Sequence, residues 1–194
     1  MTSSTPDPTQ SSIRPALDRA RIVQVARNLA DRDGITKLTM RSLADELSVT
    51  PMSMYRYISN KEELLDALVD SVFTEIASPL PDGDWMDELH RFASSSRDIL
   101  RRHGWALSLI ETRTMPGRAM LVNRNAVLGS LRGAGFSVAN AAQAFSTLDA
   151  YVYGFVLQEI SLPIAGGPES EDVAAEVLAS IPMDEFPHII EVAM

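Results

Sequence analysis

Apolar residues recur at helical spacing along most of the chain. Ile22, Val25, Ala26 and Leu29 fall at i, i+3, i+4 and i+7, one face of a helix over 17–33. Gly34 follows as the residue type that closes such a helix. Thr39 can cap a short helix carrying Leu43, Ala44 and Leu47. After a tight connection at Ser48-Val49, Thr50 can cap again, with Pro51 at the first helical position, where its missing N–H does no harm. That helix carries Met54, Tyr55 and Ile58. Asn60 and Glu63 read as a cap with a reciprocal acid. They open a helix with Leu64, Leu65, Leu68, Val69, Val72 and Ile76 inward, running to the break at 78–83.

Beyond that break Trp85, Leu89, Phe92 and Ile99 form one stripe, interrupted by His103-Gly104. A short apolar piece follows over 105–111, then a turn at Met115-Pro116-Gly117. Met120, Val127, Leu131 and Ala134 mark another helix, closed by Gly135. Ser137 caps a long helix over 138–160, apolar on most sides and so expected to pack against several partners. A loop with Gly166-Gly167-Pro168, a short Ala-rich helix and Pro182 complete the pattern. No run alternates as a strand does, so the expected fold is all-α: three or four short helices, then a bundle.

Composition narrows the chemistry. The 194 residues are 45% hydrophobic and 22% charged, ordinary globular values. There is no Cys, which excludes disulfides, thiolate metal sites and a Cys nucleophile. No apolar run reaches the roughly 20 residues of a membrane span. Residues 1–16 are Ser/Thr/Pro-rich and read as a disordered tail rather than a secretory signal, so a cytoplasmic location is the expectation. His90, His103 and His188 show no metal spacing. No Gly-rich phosphate loop or Gly-x-Ser-x-Gly nucleophile motif is present, and nothing favours an enzyme. The net charge of −9 is uneven: residues 1–61 hold nine Lys/Arg against six Asp/Glu, and the rest is strongly acidic. A basic head on an acidic body is the asymmetry worth following, and a net +3 carries little weight by itself.

The informative stretch is 39–61, TMRSLADELSVTPMSMYRYISNK. Two short helices joined by a tight turn form the helix-turn-helix pattern. Ala44, Leu47 and Val49 brace the second helix, which presents its first turn and one polar face. Ser53, Tyr55, Arg56 and Tyr57 supply hydroxyl, aromatic and cationic groups able to reach phosphates or base edges. Lys61, opening the next helix, can clamp a phosphate with its backbone N–H and ammonium together. Met54 and Ile58 read as core.

Over about 17–76 the chain resembles the DNA-binding domain of the tetracycline-repressor (TetR) family. The likeness rests on Leu38-Thr39-Met40-Arg41 with Leu43-Ala44, then Val49, Tyr55, Asn60-Lys61 and Leu64-Leu65, all ungapped. The second half is similar to the C-terminal domain of the tetracycline-repressor subgroup through Trp85, Arg101-Arg102-His103, Thr112-Arg113, the run Gly133-Ala134-Gly135-Phe136-Ser137 and residues 153–159. The resemblance implies a three-helix DNA-binding domain over 17–62, after the tail over 1–16, with a connecting helix to about 77, and a helical effector-binding and dimerisation domain over 84–194; it also implies a final helix, which this sequence is expected to lack. It implies DNA contacts from Met40, Arg41, Pro51, Met52, Ser53, Tyr55, Arg56, Tyr57 and Lys61. Ser48 departs from the family, which usually has Gly at that turn; a left-handed Ser costs on the order of 1 kcal/mol. Pro51 and Met52 offer no side-chain hydrogen bonds, leaving Met52 to touch a thymine methyl.

The family's second domain usually holds a small effector. Trp85, Phe92, Trp105, Leu109, Tyr151, Phe155 and Gln158 are the expected lining, with Arg113 as a polar anchor, although aromatics at such spacing are more often core. Tetracycline itself is not expected: the His that precedes the Thr-Arg pair in the name-giving subgroup is absent from 107–111. The expected effector is apolar or aromatic, with no metal and no cofactor. A single head buries too little for tight specific binding, so a homodimer on a palindromic double-stranded DNA operator is expected, joined through the helix over 138–160. The functional expectation is a repressor released by its effector. The alternative is a helical ligand-binding or partner-binding protein whose head no longer binds DNA.

Overall fold

The computed structural model describes residues 16–110, 112–113, 115–161, 180–182, 185–188 and 191. The expected N-terminal tail and the Ala-rich helix before Pro182 lie outside these residues. Among the described residues every regular element is helical. The chain divides into two compact units, residues 1–63 and 64–194.

The first unit contains α1 (Arg19–Asp33), a 3-10 turn (Ile35–Lys37), α2 (Met40–Leu47) and α3 (Pro51–Met54). The sequence pattern starts α1 at 17, but Asp18 is extended and its side chain accepts the Arg21 N–H at 2.8 Å, which makes it the cap and Arg19 the first helical residue. Gly34 ends the helix at φ 85°, a conformation open to glycine, and its N–H reaches the Ala30 carbonyl. Thr39 caps α2 reciprocally: its hydroxyl accepts the Ser42 N–H, and the Ser42 hydroxyl accepts the Thr39 N–H. Ile22, Ala26, Leu38, Leu43, Ala44, Met54 and Ile58 form a closed core with 0–1% exposure, so α1, α2 and α3 brace one another through apolar contact.

The second unit takes in most of α4 (Lys61–Phe73), followed by α5 (Trp85–Arg102), α6 (Trp105–Ile110), α7 (Arg118–Gly133) and α8 (Val138–Ser161). The helices α5, α7 and α8 pack on one another. Phe92, Leu100, Val127, Leu131, Phe145, Val152 and Val156 fill the space between them. The apolar pattern carries α4 on to the break at 78, yet the helix stops at Phe73. Past that point two backbone groups are taken by neighbouring helices. The Phe73 carbonyl, which would accept the N–H of residue 77, is taken at 2.9 Å by the buried Asn123 side chain. The Ala77 N–H donates instead to the Ser95 hydroxyl at 2.9 Å. The coil has already tightened before that point, with the Glu75 N–H on the Val72 carbonyl and the Thr74 hydroxyl on the Ser71 carbonyl. Ile76 still points inward and is buried.

Candidate nucleic-acid interface and bundle cavity

The turn between α2 and α3 sets what the head presents. Ser48 sits in the left-handed region at φ 54°, ψ 46°, as the C-cap of α2. Its N–H and that of Val49 close onto the Ala44 and Asp45 carbonyls. It is the only described non-glycine residue with positive φ. Chain reversal in so few residues requires this conformation, and Ser adopts it at the strain anticipated from the sequence.

The second helix is shorter than its apolar spacing suggests. Regular α-helix covers only Pro51–Met54; the chain then continues in tight turns, with the Tyr57 and Ile58 N–H groups both donating to the Met54 carbonyl. Thr50 does not cap through its side chain. Its carbonyl accepts the Ser53 N–H, and its hydroxyl pairs with that of Ser53 at 2.9 Å. Met54 and Ile58 are wholly buried. Between them the chain turns outward everything that could read a nucleic acid: Met52, Tyr55 and Tyr57 are the exposed large side chains, and Pro51 and Arg56 are exposed too. Ser53 and Met40 are half-buried, while Arg41 and Lys61 are exposed.

The cations of this unit divide into two groups. Arg32 is held by Glu46 and Asp33, at 3.3 and 3.1 Å, and Arg19 lies 3.5 Å from Glu63. Arg41, Arg56 and Lys61, on the face of the second helix and its flanks, join no ion pair among the described residues. Lys61 opens α4 just after a built cap: Asn60 accepts the Glu63 N–H at 2.8 Å, and Glu63 accepts the Ser59 N–H at 2.8 Å. The reciprocal partner is thus Ser59, one residue before the one the spacing suggests. The Ser59 N–H holds the Glu63 carboxyl below its usual range, with Arg19 adding to the effect.

The second unit holds a partly open cavity of about 280 Å³, lined from α4, α5, α6, α7 and α8 and the segment after α6. Phe92 of α5 and Arg113 line it, as the sequence reading expects; Phe73, Ile110, Asn123, Arg124, Phe145, Asp149 and Tyr153 were not singled out there. The other expected lining residues lie elsewhere. Trp85 meets Phe136 edge to face at 5.2 Å, Trp105 meets His103 at 6.1 Å, and Leu109 is buried in the core. Tyr151 and Phe155 stack at 5.9 Å on an exposed face of α8, with the Arg97 guanidinium 5.2 Å above the Phe155 ring; Gln158 is exposed. The missed signal was a spacing: Phe145, Asp149 and Tyr153 stand four residues apart, which puts them on one helical face, with a lone acid amid apolar neighbours.

That acid is the chemically distinctive group. Burial pushes the Asp149 carboxyl up to about 6, against the opposing pull of Arg124. Burial, and then the Asp149 charge, raise the Tyr153 hydroxyl well above its usual value. Arg124 spreads its guanidinium over the Phe145 ring at 4.7 Å. Arg113 reaches Asp66 of α4 at 3.4 Å. No group of His and carboxylate side chains suited to a metal occurs among the described residues.

The first unit exposes a basic and aromatic turn beside a left-handed corner and has the helix-turn-helix form; the second is a helical bundle with a small cavity. Comparison with known proteins makes the assignment specific. Residues 22–68 match the bacterial regulatory proteins of the tetR family, and residues 78–194 match the tetracyclin repressor-like C-terminal domain. The chain belongs to the tetracycline-repressor family.

It is 37% identical over 151 residues to an HTH-type transcriptional regulator of Saccharopolyspora erythraea, covering 77% of this chain and 64% of that protein. The fold is similar to that of the TetR family protein ActR of Streptomyces coelicolor in complex with actinorhodin: TM-score 0.80, 28% identity, 93% of this chain and 85% of that one. It is also similar to BioQ with its double-stranded DNA operator: TM-score 0.66, 31% identity, 75% and 89% of the two chains. Against the first curated relatives the chain spans between 53% and 65% of their length.

Proposed function

We propose that this chain is a DNA-binding transcriptional repressor that occupies a palindromic operator as a homodimer and is released by a small, mainly apolar molecule taken up in the bundle cavity. The observation that carries the reading is the division of labour around α3. Met54 and Ile58 anchor the turn at 0% exposure, while Met52, Tyr55, Arg56 and Tyr57 are exposed. Arg41, Arg56 and Lys61 bring positive charge unspent on internal partners. Cations of this kind position a protein on phosphates, and the exposed turn meets base edges. In this reading Met40, Arg41, Pro51, Met52, Ser53, Tyr55, Arg56, Tyr57 and Lys61 form the DNA face. The domain division of the sequence analysis carries over, with the head reading DNA and the bundle sensing and dimerising. The relatives named above are transcriptional regulators, and among similar structures ActR holds actinorhodin and BioQ its operator. No helix among the described residues is long and apolar enough to cross a membrane, in keeping with a cytoplasmic regulator.

The test is selection of genomic DNA fragments on the purified protein, followed by sequencing and by titration of the recovered site. Enrichment of a two-half-site palindrome, bound with a steep salt dependence, is the expected result. Absence of enrichment at low salt from a protein that elutes as a dimer overturns the DNA-binding reading and favours a sensor without an operator.

A further inference from the structure

We infer that the bundle cavity selects a neutral aromatic ligand bearing a hydroxyl group, which lies against Phe92 and Phe145 and donates its hydrogen bond to Asp149. The inference rests on the cavity being the effector site proposed above, and it specifies the effector's chemistry.

Three observations carry it. The first is size and surface. At about 280 Å³ the cavity falls at the small end of ligand sites, which run from about 300 Å³ upward, so it suits one or two rings. Phe73, Phe92 and Phe145 give it aromatic walls. The second is an unmet acceptor. Asp149 is half-buried on the cavity wall, and neither its carboxylate nor the Tyr153 hydroxyl makes a hydrogen bond among the described residues. A carboxylate drawn out of water without donors is unfavourable, as its raised titration range reflects. A hydroxyl brought in by a ligand removes that deficit, and a charged acceptor makes the stronger bond.

The third observation is charge balance. The charged and titratable groups facing Asp149 are Arg124 from α7, Arg113 at the end of the α6 segment, and Tyr153 on its own helix; α4 and α5 contribute only Phe73 and Phe92. Arg113 is balanced by Asp66, and Arg124 stands against Asp149 while its guanidinium rests on the Phe145 ring. The lining is thus close to neutral. A ligand with a net charge would upset this balance, whereas a neutral ring with one donor preserves it.

The test uses the full chain, without DNA, and four naphthalene probes titrated by calorimetry and by ligand-observed NMR. These are 2-naphthol, 2-methoxynaphthalene, 2-naphthoate and 2-(aminomethyl)naphthalene. The expected result at pH 8 is that 2-naphthol binds at least tenfold more tightly than the other three. Asp149→Asn, which keeps the shape and removes the charge, should cut 2-naphthol binding at least fivefold while leaving the methoxy probe unchanged. In the unmodified protein the preference should shrink between pH 8 and pH 5, as Asp149 takes up a proton. Equal binding of 2-naphthol and its methyl ether, preference for the carboxylate or the amine, or an Asp149→Asn variant that discriminates as before would each overturn the inference. So would failure of all four probes to bind. Operator binding is measured separately on the same preparation. Loss of that binding alone overturns the repressor reading and leaves the cavity chemistry standing; the reverse pattern does the opposite.

Discussion

Asp70 caps a helix to which it does not belong: its carboxylate accepts the backbone N–H of Ala119, in the first turn of α7, at 2.7 Å. A second, longer bond comes from Met120 at 3.4 Å. Gly117, at the cap position, offers no side chain of its own to do this. A methyl group on Gly117 would collide with the Asp70 carboxylate. The α7 start is therefore built by two residues 47 positions apart, one supplying the acceptor and the other the space for it.

Replacing Asp70 by Ala should destabilise the protein by about 1 kcal/mol, the usual value of a lost N-terminal cap. Gly117→Ala should do similar damage in the native background and much less beside Asp70→Ala, because the collision then disappears. A double-mutant cycle by urea denaturation measures this coupling. Strict additivity of the two substitutions would contradict the account of the cap.

The head offers a comparison between surfaces. Tyr55→Ala and Lys61→Ala should each weaken operator binding, whereas Arg124→Ala in the bundle should not. Lys61→Ala should also reduce the dependence of binding on salt concentration by roughly one phosphate contact. Gel-shift titrations at several salt concentrations separate these effects, and equal loss from all three variants would contradict the assigned DNA face.

Ser48 carries backbone strain that glycine would not. Ser48→Gly should leave the turn in place and stabilise the protein, by up to about 1 kcal/mol, since relief of the left-handed strain competes with the greater freedom of glycine in the unfolded chain. Thermal unfolding gives the sign directly; a lower Tm would mean that the Ser48 side chain contributes more than its backbone conformation costs.

Asp149 makes stability depend on pH in the direction opposite to a paired carboxylate. Its folded value lies near 6, above the ordinary 3.8, so folding favours the protonated form. The corresponding stabilisation is fully present below about pH 4 and is lost as the pH rises through about 6. Asp149→Asn should therefore raise Tm at pH 8 and leave it little changed at pH 4. The check is a Tm profile across that range for both proteins.

The parts of this molecule that were legible in the sequence are those set by local spacing. The alternation of Leu43, Ala44 and Leu47 with polar residues, the Thr39 cap and Pro51 at a helix start identify the head without reference to anything distant. The long α8 follows from its Ser137 cap and a stretch free of Pro that is apolar on most sides. What the sequence did not disclose depends on pairs remote along the chain. The path of the chain after Phe73 is held by Asn123 and Ser95, neither of which belongs to the local pattern of α4. The cavity lining is remote along the chain in the same way: aromatic content points to Trp85 and Trp105, whereas the walls of this cavity come from the faces of α4, α5, α6, α7 and α8 that meet there. Even there Asp149 left a trace, an ionisable group four residues from an aromatic on each side within an apolar helix.

The packing of α3 separates two burdens that most helices carry together. Met54 and Ile58 are the fully buried side chains that hold this segment to its support, and Met52 and Arg56 stand exposed beside them. Mutation can therefore rewrite the lettering on this surface without redrawing the page beneath it. A library randomised at 52 and 56 should yield mostly folded proteins, so that the same scaffold could be readdressed to new sites by selection on binding alone.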